Sequence, residues 1–162
     1  MKLSQIVDAA RRMEFATQTG TQTHAMLRHL VLGDKSSDDI GDAELVRRVR
    51  SNELLIPLFD ASAMTEVPLA GIYNRRFISR RIDRMRIFDD ERRVVFIDYK
   101  TDVNRTTMRA QYVARMREYA ALLGEIYPGY TVAGYILWLH DWTLDAAVGD
   151  VKNLENGPVC GL

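Results

Sequence analysis

Apolar positions along this chain recur with two different periods, and the change from one to the other divides it. Near the start, Leu3, Ile6, Val7, Ala10 and Met13 are spaced by three and four, and Thr23, Met26, Leu27, Leu30 and Val31 repeat the pattern after Gly20. Both stretches predict amphipathic helices. A loop follows from Gly33 to Gly41. Ala43 to Arg50 predicts another helix, and Leu54 to Phe59 a short apolar piece broken by Pro57. The period then shortens. Thr65 to Leu69, Phe77 to Phe88 and Val94 to Lys100 are rich in β-branched and aromatic residues with charge interleaved, and Asp89-Asp90-Glu91-Arg92 reads as a hairpin turn. Thr106 to Tyr127 returns to helical spacing through Met108, Tyr112, Met116, Tyr119, Leu122, Leu123 and Ile126, and Pro128-Gly129 stops it. Thr131 to Leu139 predicts a buried strand and Trp142 to Val148 a short edge strand. Helices, three strands, a long helix and two strands predict an α/β fold: a small mixed sheet flanked by helices, not a repeated βαβ unit.

Length adds that 162 residues make one domain. Residues 1–60 would be mainly helical, 61–150 would hold the sheet and long helix, and 151–162 would form a tail. Apolar residues are 47% and charged residues 27% of the chain, which excludes the composition of a disordered segment. Neither a membrane-spanning run nor a signal-peptide core is visible, so the expectation is a cytoplasmic protein with no membrane partner. The chain has a single cysteine, Cys160, so no internal disulfide, thiolate-held zinc or iron–sulfur cluster can form within it. Any metal must be bound by oxygen and imidazole. Net charge is zero, but from Arg75 to Glu118 thirteen basic residues outnumber seven acidic ones. That surplus, almost all arginine, fits either a phosphate-binding surface or a solvated charged sheet face.

The chemistry lies in the second hairpin. Asp98 and Lys100 are two apart on one strand and share a face. With the turn centred between Asp90 and Glu91, Asp83 falls opposite Asp98. Met85, Ile87, Val94 and Phe96 occupy the same side, so two carboxylates and an ammonium end an otherwise apolar surface. Facing carboxylates at cross-strand spacing repel, and a hard divalent cation such as Mg2+ or Mn2+ relieves that cost. Taken alone, the pattern also fits surface ion pairs of Asp83 with Arg81 or Arg84.

Four blocks in order give the pattern more weight: Gly20-Thr21-Gln22-Thr23-His24-Ala25-Met26-Leu27, Thr65-Glu66-Val67-Pro68-Leu69, Arg81-Ile82-Asp83-Arg84-Met85 and Ile97-Asp98-Tyr99-Lys100-Thr101. They resemble the RecB/AddA-type branch of the PD-(D/E)XK nuclease superfamily, from about Gly20 to Leu139, with Tyr112 and Tyr119 matching a downstream helix block. The resemblance implies a restriction-endonuclease-like core and a metal-dependent deoxyribonuclease of DNA recombination and repair. It implies metal ligation by His24, Asp83, Asp98 and the carbonyl of Tyr99, with Lys100 acting on the attacking water and Asp83, Asp98 and Lys100 as the catalytic set. Glu66, Arg84, Arg115 and Tyr119 would touch DNA or support the ligands. Mg2+ or Mn2+ would be the cofactor, with the imidazole nitrogen favouring Mn2+. DNA would be the partner, with any helicase subunit or domain supplied separately, because no phosphate-binding Gly-x-x-x-x-Gly-Lys-Ser/Thr loop is present. Besides that missing motor loop, the sequence departs from the family in two places: arginine (Arg80 or Arg81) replaces the usual glycine before Ile82-Asp83, and Arg115 replaces a glutamine. The competing expectation is a catalytically inactive DNA-binding or assembly module with the same fold.

Overall fold

A computed structural model describes residues 20–33 and 43–149. The helix expected from Leu3 to Met13, most of the Gly33–Gly41 loop and the tail with Cys160 lie outside these residues. The described chain is an α/β fold around one sheet. Helix α1 covers residues 20–29, α2 Ala43–Arg50, and Ile56–Phe59 forms a 3-10 turn with Pro57 in its opening positions. Strands β1 (Met64–Tyr73), β2 (Arg76–Phe88) and β3 (Arg93–Lys100) lead to helix α3 (Arg105–Ile126), then β4 (Thr131–Trp138) and β5 (Thr143–Val148). The five strands lie side by side in chain order. Only β3 and β4 are parallel, so α3 is the crossover between them. Among the described residues no helix is long and apolar enough to cross a membrane.

The sheet divides two cores. On one face Val94 and Phe96 of β3, with Met85, Ile78 and Ile82 of β2, pack against Val113, Met116, Tyr119, Leu122 and Leu123 of α3. On the other, Val95, Ile97 and Tyr99 of β3 meet Leu27 and Leu30, Leu45 and Val49 of α2, and Leu58 and Phe59 of the 3-10 turn. Because β3 is covered on both sides, six consecutive residues from Val94 to Tyr99 are buried, and its alternation is hidden in sequence. Asparagine at 104 caps α3, accepting from the Thr107 N–H at 3.3 Å.

The sequence missed one feature: β1 and β2 form a hairpin longer than the Thr65–Leu69 segment predicts, pairing out to Tyr73 and Arg76. The connecting Asn74 and Arg75 adopt φ of 49° and 62°, the left-handed pair of a tight hairpin turn without its usual glycine. The second hairpin has the predicted register, with Arg84 opposite Ile97 and Met85 opposite Phe96.

Candidate metal centre

The ladder between β2 and β3 ends at Arg84 and Ile97. Beyond that point β2 stays with β1 and β3 stays with β4, out to Lys100 opposite Trp138. The two middle strands therefore part where Asp83 and Asp98 face each other. The Asp83 carboxylate accepts from the Tyr99 N–H at 2.6 Å, a bond to a backbone donor at the mouth of that gap. A second irregularity helps: β1–β2 pairing omits Glu66, whose φ is 53°, opposite Asp83. Across it the inward positions of β2 shift, so that Ile82 and Met85 both enter the α3 core while Arg84 turns to the other face. Asp83 is left at the seam between the two layers.

Helix α1 brings His24 to this seam. Its Nε2 lies 3.3 Å from Asp83 Oδ1, and its ring meets the Tyr99 ring edge-on at 5.1 Å between centroids. Gly20 allows the close approach: a β-carbon there would lie 2.5 Å from Thr101 Cγ2. A larger residue would push α1 off the end of β3. Arg84 fixes the other end of α1. It is fully buried, donates to the carbonyls of Leu27 at 2.6 Å, Leu30 at 3.0 Å and Leu58 at 3.0 Å and to the Tyr99 hydroxyl at 3.1 Å, and lies 4.0 Å over the Phe59 ring. The terminal carbonyls of a helix need such donors.

On the α3 side, Asp98 is near enough to Asp83 for each to shift the other's titration. Lys100 Nζ lies 2.5 Å from Asp98 Oδ2 and 4.5 Å from the centre of the Tyr112 ring, and the Tyr112 hydroxyl donates to Asp102. Thr21, His24, Arg28, Lys100, Asp102 and Tyr112 line a cavity of about 470 Å3 beside these groups.

Burial pushes the Asp98 carboxyl up to about 6, with Asp83 adding to the rise and Lys100 opposing it. Burial also raises Asp83 more than any other single influence does, yet hydrogen bonds from His24 and from the Tyr99 N–H bring it below the ordinary carboxylate value. The bond to Asp83 holds His24 above its usual value against burial. His24, Glu66 and Asp83 each place a ligand atom within 4.8 Å of the other two; Asp98, expected as a ligand, is not in that group and is held by Lys100. One imidazole nitrogen and several carboxylate oxygens are a donor set that fits a hard or borderline divalent ion such as Mg2+ or Mn2+.

The residues expected at the site are thus largely together: His24, Asp83, Asp98, Tyr99 and Lys100 meet at the end of β3. Two placements differ from the expectation, and a third narrows it. Glu66, expected at the edge, lies within ligand distance of His24 and Asp83 and is also held by Arg28 at 3.1 Å and Arg81 at 3.3 Å. Arg84, expected either to touch DNA or to support the ligands, has no outer surface, because its guanidinium has gone to the carbonyls around α1 and to the Tyr99 hydroxyl; that placement fits the second alternative alone. Tyr119 is 2% exposed in the α3 core, 6.0 Å from the Phe96 ring, because residues 116, 119, 122 and 123 share the inward stripe of the helix. Its phenol, raised to about 12 by burial and then by Asp98, lies under the carboxylates and is not a surface contact. Arg115 is exposed one turn away. The Asp83 ion pairs to Arg81 or Arg84 do not form; Arg81 points outward to Glu66, which is how arginine is accommodated before Ile82-Asp83. Sequence reasoning missed Arg28 and Asp102. Arg28 had a signal, standing one turn after His24 on the same helix face.

No protein-family model matches the sequence, and no curated protein matches it either.

Proposed function

We propose that this chain is a metal-dependent DNA nuclease with a restriction-endonuclease-like core, of the RecB/AddA-type branch of the PD-(D/E)XK superfamily. One observation carries the reading: Asp83, Asp98 and Lys100 converge where β2 and β3 part, with His24 brought to the same point by a separate helix. His24, Asp83 and Asp98 would hold Mg2+ or Mn2+, with the Tyr99 carbonyl as the further ligand that the resemblance implies. A bound divalent cation supplies two things here, a more acidic water and neutralisation of phosphate charge.

The remaining work falls to the chain. Lys100 is held by Asp98 and the face of Tyr112, so its ammonium is fixed in direction and can orient the attacking water and offset charge developing on the phosphate. Asp98 keeps a proton affinity closer to neutrality than an ordinary carboxylate, which suits a group beside a proton-releasing nucleophile. Arg28 and Arg115 supply cationic surface at the cavity and on the neighbouring helix for the flanking backbone. Plasmid degradation in Mn2+ tests the reading: the parent is expected to degrade DNA and Lys100→Ala to lose at least a hundredfold in rate, whereas equal rates would end it. Absence of activity in both would favour the inactive DNA-binding module instead.

A further inference from the structure

The β1–β2 hairpin reaches beyond the part of the sheet covered by α1, α2 and the 3-10 turn. Among the described residues, the buried cluster beneath those elements contains none from β1. Ile78 and Ile82 point to α3, so their neighbours Phe77, Ser79 and Arg81 point the other way. Their cross-strand partners are Ile72, Ala70 and Pro68, and together the six residues make one strip. All six are exposed, and at its outer end Ile72 is 67% and Phe77 74% open to solvent. From Ala70 to Arg81 there are four arginines and no acidic residue. Arg76 turns to α3, where it pairs with Glu118 at 3.4 Å; Arg81 joins the strip to the centre by pairing with Glu66 at 3.3 Å. Six residues of extended strand separate Phe77 from Asp83, about 20 Å.

An exposed aromatic ring on a strip flanked by Arg75 at the turn and by Arg81, with Glu66 as the one carboxylate paired at its inner end, matches a polyanion that also offers flat apolar faces. Single-stranded nucleic acid has both, because its unpaired bases can leave their own stack, whereas the bases of a duplex are buried against each other. We propose that this strip is a docking track for single-stranded DNA, with an unpaired base on Phe77 beside Ile72 and backbone phosphates on Arg75 and Arg81, leading to the metal centre. The inference rests on the nuclease reading for its direction and names the form of substrate that reaches the centre; docking itself needs no hydrolysis.

Fluorescence anisotropy in EDTA tests it, using the whole chain with a labelled twelve-nucleotide oligothymidine and a blunt duplex of the same length. The parent should prefer the single strand. Phe77→Ala should weaken single-strand binding about tenfold and leave duplex binding unchanged, as expected for loss of one base–aromatic stack. Phe77→Tyr should bind like the parent, and Arg75→Ala should lower the salt dependence by about one ion. Phe77 is exposed, so urea unfolding of the variants should match the parent. Parental affinity in Phe77→Ala, no oligonucleotide binding by the parent, or a Phe77-dependent self-association in place of DNA binding would each overturn the proposal. The two readings separate cleanly. Phe77-dependent binding without Mn2+-dependent cleavage would remove the nuclease and keep the track; cleavage with full binding by Phe77→Ala would remove the track and keep the nuclease.

Discussion

Replacing Arg84 by methionine tests how the centre is held in place. The change keeps most of the stem packed over Phe59 and removes every donor. Four short bonds are lost, to the carbonyls of Leu27, Leu30 and Leu58 and to the Tyr99 hydroxyl, at distances from 2.6 to 3.1 Å, together with a longer one to the Arg28 carbonyl at 3.5 Å. Bonds from a charged donor are each worth about 1.5–3 kcal/mol, so the gross loss is about 6–12 kcal/mol. Relief from burying a guanidinium returns several kcal/mol. The net is a loss of about 3–5 kcal/mol, as when one partner of a buried charged arrangement is removed, and it is a large share of the roughly 5–15 kcal/mol of an ordinary domain. Urea unfolding of metal-free protein measures it. Since the orphaned carbonyls lie at the end of the helix carrying His24, Mn2+ affinity should fall as well, although Arg84 touches no proposed ligand other than Tyr99. Arg84→Lys keeps the charge with fewer, differently placed donors and should lose less in both measurements. A Met variant within about 1 kcal/mol of the parent, with unchanged Mn2+ affinity, would show that Arg84 does not hold α1 in place.

Asp98→Asn should raise the stability of the metal-free protein at pH 7 by up to about 3 kcal/mol, since a carboxyl moved from 3.8 to about 6 is disfavoured as an anion in the fold; urea unfolding in EDTA measures this, and destabilisation would contradict it. The sign of the pH effect follows. The folded state holds the extra proton between those values, so the Asp98 contribution declines as pH rises from about 4 to 6, and Asp98→Asn should remove that decline. Mn2+ affinity of the parent should strengthen as pH rises through about 6, because Asp98 must release its proton and His24, which is also raised, must release its own; calorimetry across pH 5–8 showing a flat response would contradict this. Gly20→Ala places a β-carbon 2.5 Å from Thr101 Cγ2, so it should cost about 1–3 kcal/mol and weaken Mn2+ binding, against no change in either if α1 need not pack this closely.

Much of this arrangement was legible in sequence because it depends on local signals. The turn at Asp89 to Arg92 set the register of β2 on β3, and that register alone brings Asp83 opposite Asp98. Pro128-Gly129 ended α3 within a residue of the observed end, and Ala43–Arg50 matched α2. What was not legible depended on contacts between distant segments. Nothing in the order Ile82-Asp83-Arg84 signals that Arg84 turns inward, because its partners lie on α1 and the 3-10 turn, 26 to 57 positions away. Tyr119 reads equally as surface or core until the inward stripe of α3 is known. The first hairpin went unseen because Asn74-Arg75 lacks the glycine that marks such turns, and Glu66 because a left-handed residue within a strand has no pattern of its own.

The proposed nuclease activity depends on His24, Asp83 and Asp98 gripping one divalent cation. Crystals soaked in Mn2+ and measured at a wavelength where manganese scatters anomalously should show a peak bonded to the imidazole of His24 and to both carboxylates, and Asp98→Asn should weaken or abolish it. No peak at these three side chains, or an equally strong one in the variant, would contradict metal binding by this centre.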